Sequence, residues 1–258
     1  MCRSVAGRTA ARVRRGHSRT GAGRMKDAAE TSDFIARLDC VTREARAEFD
    51  RIWSMLLDDA DAKARFQGFM VETYHYVRFT CPLLERFERE IRPDNPSLAD
   101  YAAGHRKEEA GHDVWMLDDL ERLGFDRARV SASRPLRETQ ALVGAQYYLM
   151  ESGRALDHLG YIYALECDPP REIETLARRV DLPVEALSTY AAHGELDAGH
   201  GAELRAVIDD QVRRARDQAG VIANARETLE FMSELVLALT VEPAGELSGR
   251  LSALARTG

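Results

Sequence analysis

From residue 32 onward, apolar side chains recur every three or four positions, the spacing that places them on one face of an α-helix. No segment shows the strict alternation of apolar and polar residues that is typical of a half-buried β-strand. Proline and glycine divide the pattern into about seven segments with short connections. The pattern therefore predicts an all-α fold, a helical bundle in the broad sense.

Capping residues, proline and glycine set the predicted helix boundaries. Ser97 is expected to cap one long helix that ends at Gly124, with a loop after it. Another helix is expected to run without a break from about Pro135 to Glu166. The other predicted helices occupy residues 33–57, 61–80, a short segment before 180, 183–216 and 219–239.

Charge is distributed unevenly along the chain. Residues 1–24 contain seven arginines and no acidic residue. Because the formal net charge of the whole chain is −7, residues 25–258 carry a net charge of −14. An acidic body does not favour nucleic acid, whose binding depends on neutralising phosphates. The leader could be a targeting segment or a basic arm, but it lacks an apolar core, and a disordered extension before Met25 is the favoured interpretation.

Two further features bear on the cellular setting. No run approaches the ~18 consecutive apolar residues that a membrane span requires, so no membrane partner is expected. The four cysteines lie far apart without a CxxC pair, which indicates a reducing, cytoplasmic setting rather than a zinc knuckle.

The densest group of metal-binding residue types is His193, Asp197 and His200. On a helix each residue advances by about 100°, so positions 0, 4 and 7 fall within a sector of about 60°. Imidazole and carboxylate on one helix face form a ligand set suited to iron, manganese or zinc.

Carboxylates on other predicted helices extend this group. Glu109 and His112 have the i, i+3 spacing of carboxylate-bridged two-metal bundles. Glu151 and Glu72 each lie within an otherwise apolar run, where an unpaired carboxylate is costly. Alone, each of these signals is weak, because a Glu-x-x-His is often a solvated pair, and Glu72 or Glu151 could pair with an arginine.

Together these residues predict a dimetal site. Seven candidates exceed what one ion requires and suit two ions that share a carboxylate. Oxygen and imidazole ligands without a thiolate favour two Fe(II) ions, or manganese, over structural zinc. The predicted metal ligands are Glu72, Glu109, His112, Glu151, His193, Asp197 and His200.

These motifs resemble the heme-oxygenase-like diiron oxidases and oxygenases, relatives of the TenA and PqqC folds. The His-x-x-x-Asp-x-x-His motif at His193 is the most specific mark, and Glu109-x-x-His112 and the lone Glu151 also match. So do LGYIYALE at residues 159–166 and YHYVR at residues 74–78. The ferritin-like template fits less well, since His193 is one histidine too many for it.

The resemblance implies a heme-oxygenase-like bundle with a single dimetal-binding domain. The domain is expected at residues 32–240, between a disordered leader at 1–31 and a C-terminal tail at 241–258. It also implies a homodimer, dioxygen as co-substrate, a small-molecule substrate and an external electron donor.

By the same resemblance, the implied function is oxidation of a small amine or amino-acid-like substrate, by N-oxygenation, oxidative C–C cleavage or desaturation. Two alternatives stay open. A metal-free TenA-like enzyme would need a nucleophile such as Cys81 or Cys167, and a non-catalytic iron-binding protein would load iron without substrate-dependent oxygen uptake.

Overall fold

The computed structural model describes residues 32–167 and 172–256, with the backbone but not the side chains of residues 194–200. Within these ranges there is no β-strand, and the one β-type contact is an isolated bridge between Phe125 and Ala255. The predicted all-α fold is therefore confirmed. The helices number twelve in the described part rather than about seven, because several predicted helices are interrupted.

The helices, in chain order, are α1 (Asp33–Leu57), α2 (Ala62–Val77), α3 (Thr80–Ile91), α4 (Pro96–Glu108), α5 (His112–Arg122), α6 (Arg127–Ala132), α7 (Arg137–Glu151), α8 (His158–Glu166), α9 (Ile173–Arg179), α10 (Ser188–Gln211), α11 (Ala215–Val241) and α12 (Ala244–Leu254). Two short 3-10 turns precede α8 and α10, at Ala155–Asp157 and Val184–Leu187. None of the helices in the described ranges combines the length and apolar content that a bilayer span requires.

Helix α11 is the centre of the bundle, and it packs along α1, α7 and α8. Its apolar stripe is fully buried and includes Val221, Leu229 and Val236. Helix α8 is almost entirely buried, which explains why its sequence lacks a polar face. The helices that carry the candidate ligands are thus held by a large apolar core.

The helices α8 and α11 approach each other at two glycines. A Cβ atom on Gly160 would lie 2.2 Å from the carbonyl oxygen of Val221, and one on Gly220 would lie 1.9 Å from Asp157 Oδ1. Such distances leave no room for a methyl group. The backbone contact at Gly160 fixes the position of α8, which begins with His158 and ends with Glu166.

The long helix predicted from Ser97 to Gly124 is in fact two helices. Asn95 rather than Ser97 caps α4, accepting a hydrogen bond from the backbone N–H of Leu98, with Pro96 at the first helical position. The chain then breaks at Gly111, whose φ of 98° lies in the left-handed region that favours glycine. Glu109 therefore follows the end of α4, and His112 begins α5.

The predicted helix from Pro135 to Glu166 also breaks. Helix α7 ends at Glu151, and Gly153, with a φ of 72°, reverses the chain before α8 begins. The preceding segment, predicted as a loop, contains the short helix α6, which Asp126 caps at the N–H of Arg129.

The segment predicted as a C-terminal tail is largely helical. Helix α12 buries Leu247, Leu251 and Leu254 against α2 and α6. Arg250 of α12 also pairs with Glu242, at 2.8 Å. The packed helices therefore extend beyond residue 240, into the segment predicted as a tail.

Candidate metal centre

A cavity of about 500 Å³ lies between α1, α2, α8 and α10. Its walls are mainly apolar and aromatic, with Trp53 edge-on to Phe69 at 4.8 Å between ring centroids. Exposed charged residues such as Asp50 and Arg179 mark its solvent-facing rim. Several ionisable side chains reach the same cavity, namely those of His105, Glu109, Glu166 and His193.

Glu109, His112 and His193 form the first group of ligand-type side chains. One donor atom from each lies within 4.8 Å of the other two. His112 donates a hydrogen bond from Nδ1 to Glu109 Oε2 at 2.9 Å, and the rings of His112 and His193 are 4.6 Å apart. These three residues come from the α4–α5 break and from α10, as the sequence motifs predicted.

His193 is held in the tautomer that a metal ligand requires. Its Nδ1 donates to the carbonyl oxygen of Thr189 at 2.7 Å, so Nε2 is left as an acceptor toward the cavity. Thr189 is in turn fixed through its backbone N–H, which donates to the buried carboxylate of Asp119 at 2.8 Å. Asp119 belongs to α5, so the helix that begins with His112 also anchors the start of α10.

A second group shares Glu109 with the first. His105, Glu109 and Glu166 also place one donor atom each within 4.8 Å of one another. His105 Nε2 lies 2.7 Å from Glu166 Oε1, while Glu166 Oε2 is buried without a hydrogen-bond partner. A buried carboxylate oxygen without a partner is costly unless a cation binds it.

The electrostatics of the site keep Glu109 charged. Burial alone would raise its pKa, but the hydrogen bond from His112 and the nearby His105 and His193 outweigh burial, and the pKa is lowered. Burial alone would lower the pKa of His105, but the hydrogen bond with Glu166 and the charges of Glu166, Glu109 and Glu108 together outweigh burial and raise it. The donor set of carboxylates and imidazoles, without a thiolate, fits iron or manganese.

Two predicted ligands lie elsewhere. Glu151, at the end of α7, has 65% of its side chain exposed and pairs with Arg86 at 2.6 Å. It was predicted as a ligand because the residues around it in the sequence are mainly apolar, but at the last position of α7 its side chain faces solvent. The structure therefore does not bring Glu151 to the other predicted ligands.

Glu72 is buried, at 1% exposure, but it faces the start of α7. Its Oε2 accepts hydrogen bonds from the backbone N–H of Leu136 at 3.0 Å and from the hydroxyl of Thr139 at 2.7 Å. Its other oxygen faces Arg250 at 3.5 Å. These contacts satisfy the carboxylate as a cap of α7, so the structure does not bring Glu72 to the cluster.

Asp197 and His200 lie on α10, one and two turns beyond His193, but their side chains are outside the part that the structure describes. Their role as ligands stays a prediction from helical spacing.

The sequence motifs selected neither Glu166 nor His105 as a ligand. Glu166 ends α8, a buried helix whose residues are otherwise almost all apolar. A single carboxylate at the end of such a segment was the available signal. The pairing with His105 could not be inferred, because it joins residues 61 positions apart through tertiary packing.

Cys81 and Cys167, the two candidate nucleophiles, do not line the part of the cavity formed by the described residues. Burial raises the pKa of Cys81, and it raises that of Cys167 to about 12. A thiolate at either position would thus be strongly disfavoured at neutral pH.

A sequence profile of iron-containing redox enzymes matches residues 67–233, which include both groups of ligand-type residues. The chain belongs to the iron-containing redox enzyme family. Membership in this family points to iron as the metal for the carboxylate and imidazole cluster. No functionally curated protein matches the sequence.

Solved structures of similar proteins share the heme-oxygenase-like fold. A domain of unknown function from Shewanella denitrificans is 24% identical, with a TM-score of 0.70 over 86% of this chain and 98% of that one. A TenA homolog from Pseudomonas syringae pv. tomato is 13% identical, with a TM-score of 0.67 over 86% and 98%. A TenA homologue from Pyrococcus furiosus is 12% identical, with a TM-score of 0.54 over 78% and 99%.

Metal binding at this centre is expected to quench the fluorescence of Trp115. Its ring lies 4.3 Å from that of His112, centroid to centroid, and a paramagnetic ion bound by His112 would be within quenching distance. In an anaerobic titration with ferrous iron, Trp53→Phe should retain most of the quenching and Trp115→Phe should lose most of it. Equal quenching in both variants would contradict this placement of the metal.

Proposed function

We propose that this member of the iron-containing redox enzyme family is a diiron oxygenase or oxidase, which uses dioxygen to oxidise a small molecule held in the cavity. The observation that carries the proposal is that Glu109 belongs to both groups of ligand-type residues. A carboxylate shared by two groups is the arrangement that carboxylate-bridged two-metal sites use.

The residues divide naturally between two ions. Glu109, His112 and His193 would hold the first, and Glu109 with Glu166 and His105 would hold the second. Asp197 and His200, if they act as predicted, would complete these sets. When bound, iron would supply the electrons and the open coordination positions that reaction with dioxygen requires.

The chain itself positions the ligand side chains, keeps water from the reacting centre and holds a proton. The hydrogen bond to Thr189 holds His193 ready to bind metal, and the apolar walls exclude water from the reacting centre. In the metal-free chain, the close contact between His105 Nε2 and Glu166 Oε1 holds a proton between these two atoms. N-oxygenation, C–C cleavage and desaturation are all compatible with this arrangement. The homodimer and the electron donor stay predictions.

Oxygen uptake by the ferrous-loaded protein tests the proposal. We expect uptake measured with an oxygen electrode to require iron, and Glu166→Gln to slow it by about tenfold or more, as removal of a metal-site partner does. Glu172→Gln, at the exposed rim, is the control and should keep the rate of the unaltered protein. Iron loading without any oxygen uptake would instead indicate a non-catalytic iron-binding protein.

A further inference from the structure

Two hydroxyl groups of residues that line the cavity have no hydrogen-bond partner among the described residues. In the described part of the chain, six buried side-chain nitrogen or oxygen atoms lack a hydrogen bond. Three are guanidinium nitrogens of arginines that form ion pairs through their side chains. The other three are Glu166 Oε2 and the hydroxyls of Tyr161 and Thr189, and all three residues line the cavity.

The two hydroxyls differ from their counterparts elsewhere in the bundle. The buried Tyr74 donates to Ser131 Oγ at 3.1 Å, and the buried Thr228 donates to the carbonyl oxygen of Asn224 at 2.7 Å. Tyr161 and Thr189 are equally buried, at 3% and 2% exposure, yet they make no such bond. Because buried hydroxyls are nearly always paired, the partner of these two is expected to be something that occupies the cavity.

The surroundings define the chemistry of that occupant. Trp53, Phe66 and Phe69 form contiguous aromatic contacts along one wall, which suits an aromatic or aliphatic body. Charged residues such as Asp50, Glu172 and Arg179 lie at the exposed rim. Inside the rim, the charged groups that line the cavity are those of the metal centre and the half-buried Arg46, which donates to the carbonyl oxygen of Ala164 at 2.8 Å. The buried His158 is neutral, and its Nδ1 lies 3.0 Å from Gln146 Oε1.

We propose that Tyr161 and Thr189 form a polar subsite that hydrogen-bonds the uncharged head group of a substrate with an aromatic or aliphatic body. Hydroxyls can both donate to and accept from a hydroxyl, carbonyl or neutral amine. They offer no full charge to a carboxylate or an ammonium ion, and burying such an ion without a countercharge is costly. The inference rests on the proposed function only in taking the occupant to be the substrate.

Calorimetric titration of the full chain with three probes tests the subsite: 4-butylphenol, butylbenzene and 4-butylbenzoate. We expect 4-butylphenol to bind about tenfold or more tightly than either of the others, since one probe lacks the head group and the other carries a charge. Equal affinity for 4-butylphenol and butylbenzene, or tighter binding of 4-butylbenzoate, would overturn the proposal.

Isosteric variants connect this preference to the two residues. Tyr161→Phe and Thr189→Val should each weaken 4-butylphenol binding by about five- to tenfold and leave butylbenzene unchanged. The matched controls Tyr74→Phe and Thr228→Val should not alter either affinity, because their hydroxyls are already paired within the protein. A preference for 4-butylphenol that survives both cavity variants would overturn the assignment.

Titrations without iron and after anaerobic loading with ferrous iron separate this inference from the proposed function. If the iron-free chain shows the expected preferences but does not load two irons, the diiron proposal fails and the subsite stands. If iron loads as proposed and the preferences are absent in both states, the subsite fails alone.

Discussion

Glu109→Gln is expected to reduce the iron content of the anaerobically loaded chain from about two ions to well below one, whereas Glu151→Gln is expected to leave it unchanged. Glu109 belongs to both groups of ligand-type residues, so an amide at this position weakens both sites together. Glu151 is exposed and paired with Arg86, away from the cluster. Iron per chain after desalting is the measurement.

Glu72→Gln provides a second control inside the protein. Its side chain is buried like that of Glu109, but it caps α7 through Leu136 and Thr139, and an amide oxygen can still accept both hydrogen bonds. This variant should therefore keep its iron. Loss of iron in Glu72→Gln, with its helical circular dichroism retained, would show that the carboxylate moves to the metal. Retention of both ions in Glu109→Gln would contradict the shared-ligand arrangement.

Gly160→Ala is expected to destabilise the fold by about 3 kcal/mol or more, at the upper end of what overpacking costs. The added Cβ would lie 2.2 Å from the carbonyl oxygen of Val221 and 2.6 Å from the backbone nitrogen of Ala225. Both are backbone atoms of α11, so no side chain can move aside and the helices must separate. Denaturant unfolding followed by circular dichroism measures the free energy of unfolding.

Gly144→Ala is the matched control for this prediction. Gly144 lies on the exposed side of α7, and a Cβ there would meet nothing within 4 Å. Alanine should stabilise the helix by about 0.5–1 kcal/mol because it loses less backbone entropy than glycine. If Gly160→Ala is as stable as the unaltered chain, α8 and α11 are not in backbone contact as described.

The fold class and part of the cluster of ligand-type residues could be predicted because both depend on local spacing. Helical periodicity follows from 3.6 residues per turn and needs no tertiary information. The same local geometry selected Glu109, His112 and His193. The i, i+3 spacing succeeded even though Gly111 breaks the helix between Glu109 and His112, since a single turn still brings the two side chains together.

Glu151 and Glu166 show where this reasoning fails. The assignment of Glu151 depended on the apolar run around it, but Glu151 is the last residue of α7, where its side chain is exposed and pairs with Arg86. Glu166 reaches Glu109 only because α8 packs inside the bundle, against α11. A contact between helices that are distant in the sequence leaves no pattern in the residue spacing of either helix.

Helix α12 was predicted as a tail because its segment is rich in small residues. Leu247, Leu251 and Leu254 nevertheless recur at positions i, i+4 and i+7, which is the spacing of one apolar helix face. The small residues between the leucines make this apolar face hard to see in the sequence. That the three leucines are buried against α2 and α6 follows from tertiary packing, which the sequence pattern does not show.

Anomalous diffraction at the iron edge, from crystals of the full chain loaded anaerobically with ferrous iron, tests the central claim most directly. We predict two iron peaks about 3.5–4 Å apart, with the carboxylate of Glu109 between them and Glu166 beside one of them. A single peak, or two peaks that do not share Glu109, would contradict the shared-carboxylate site.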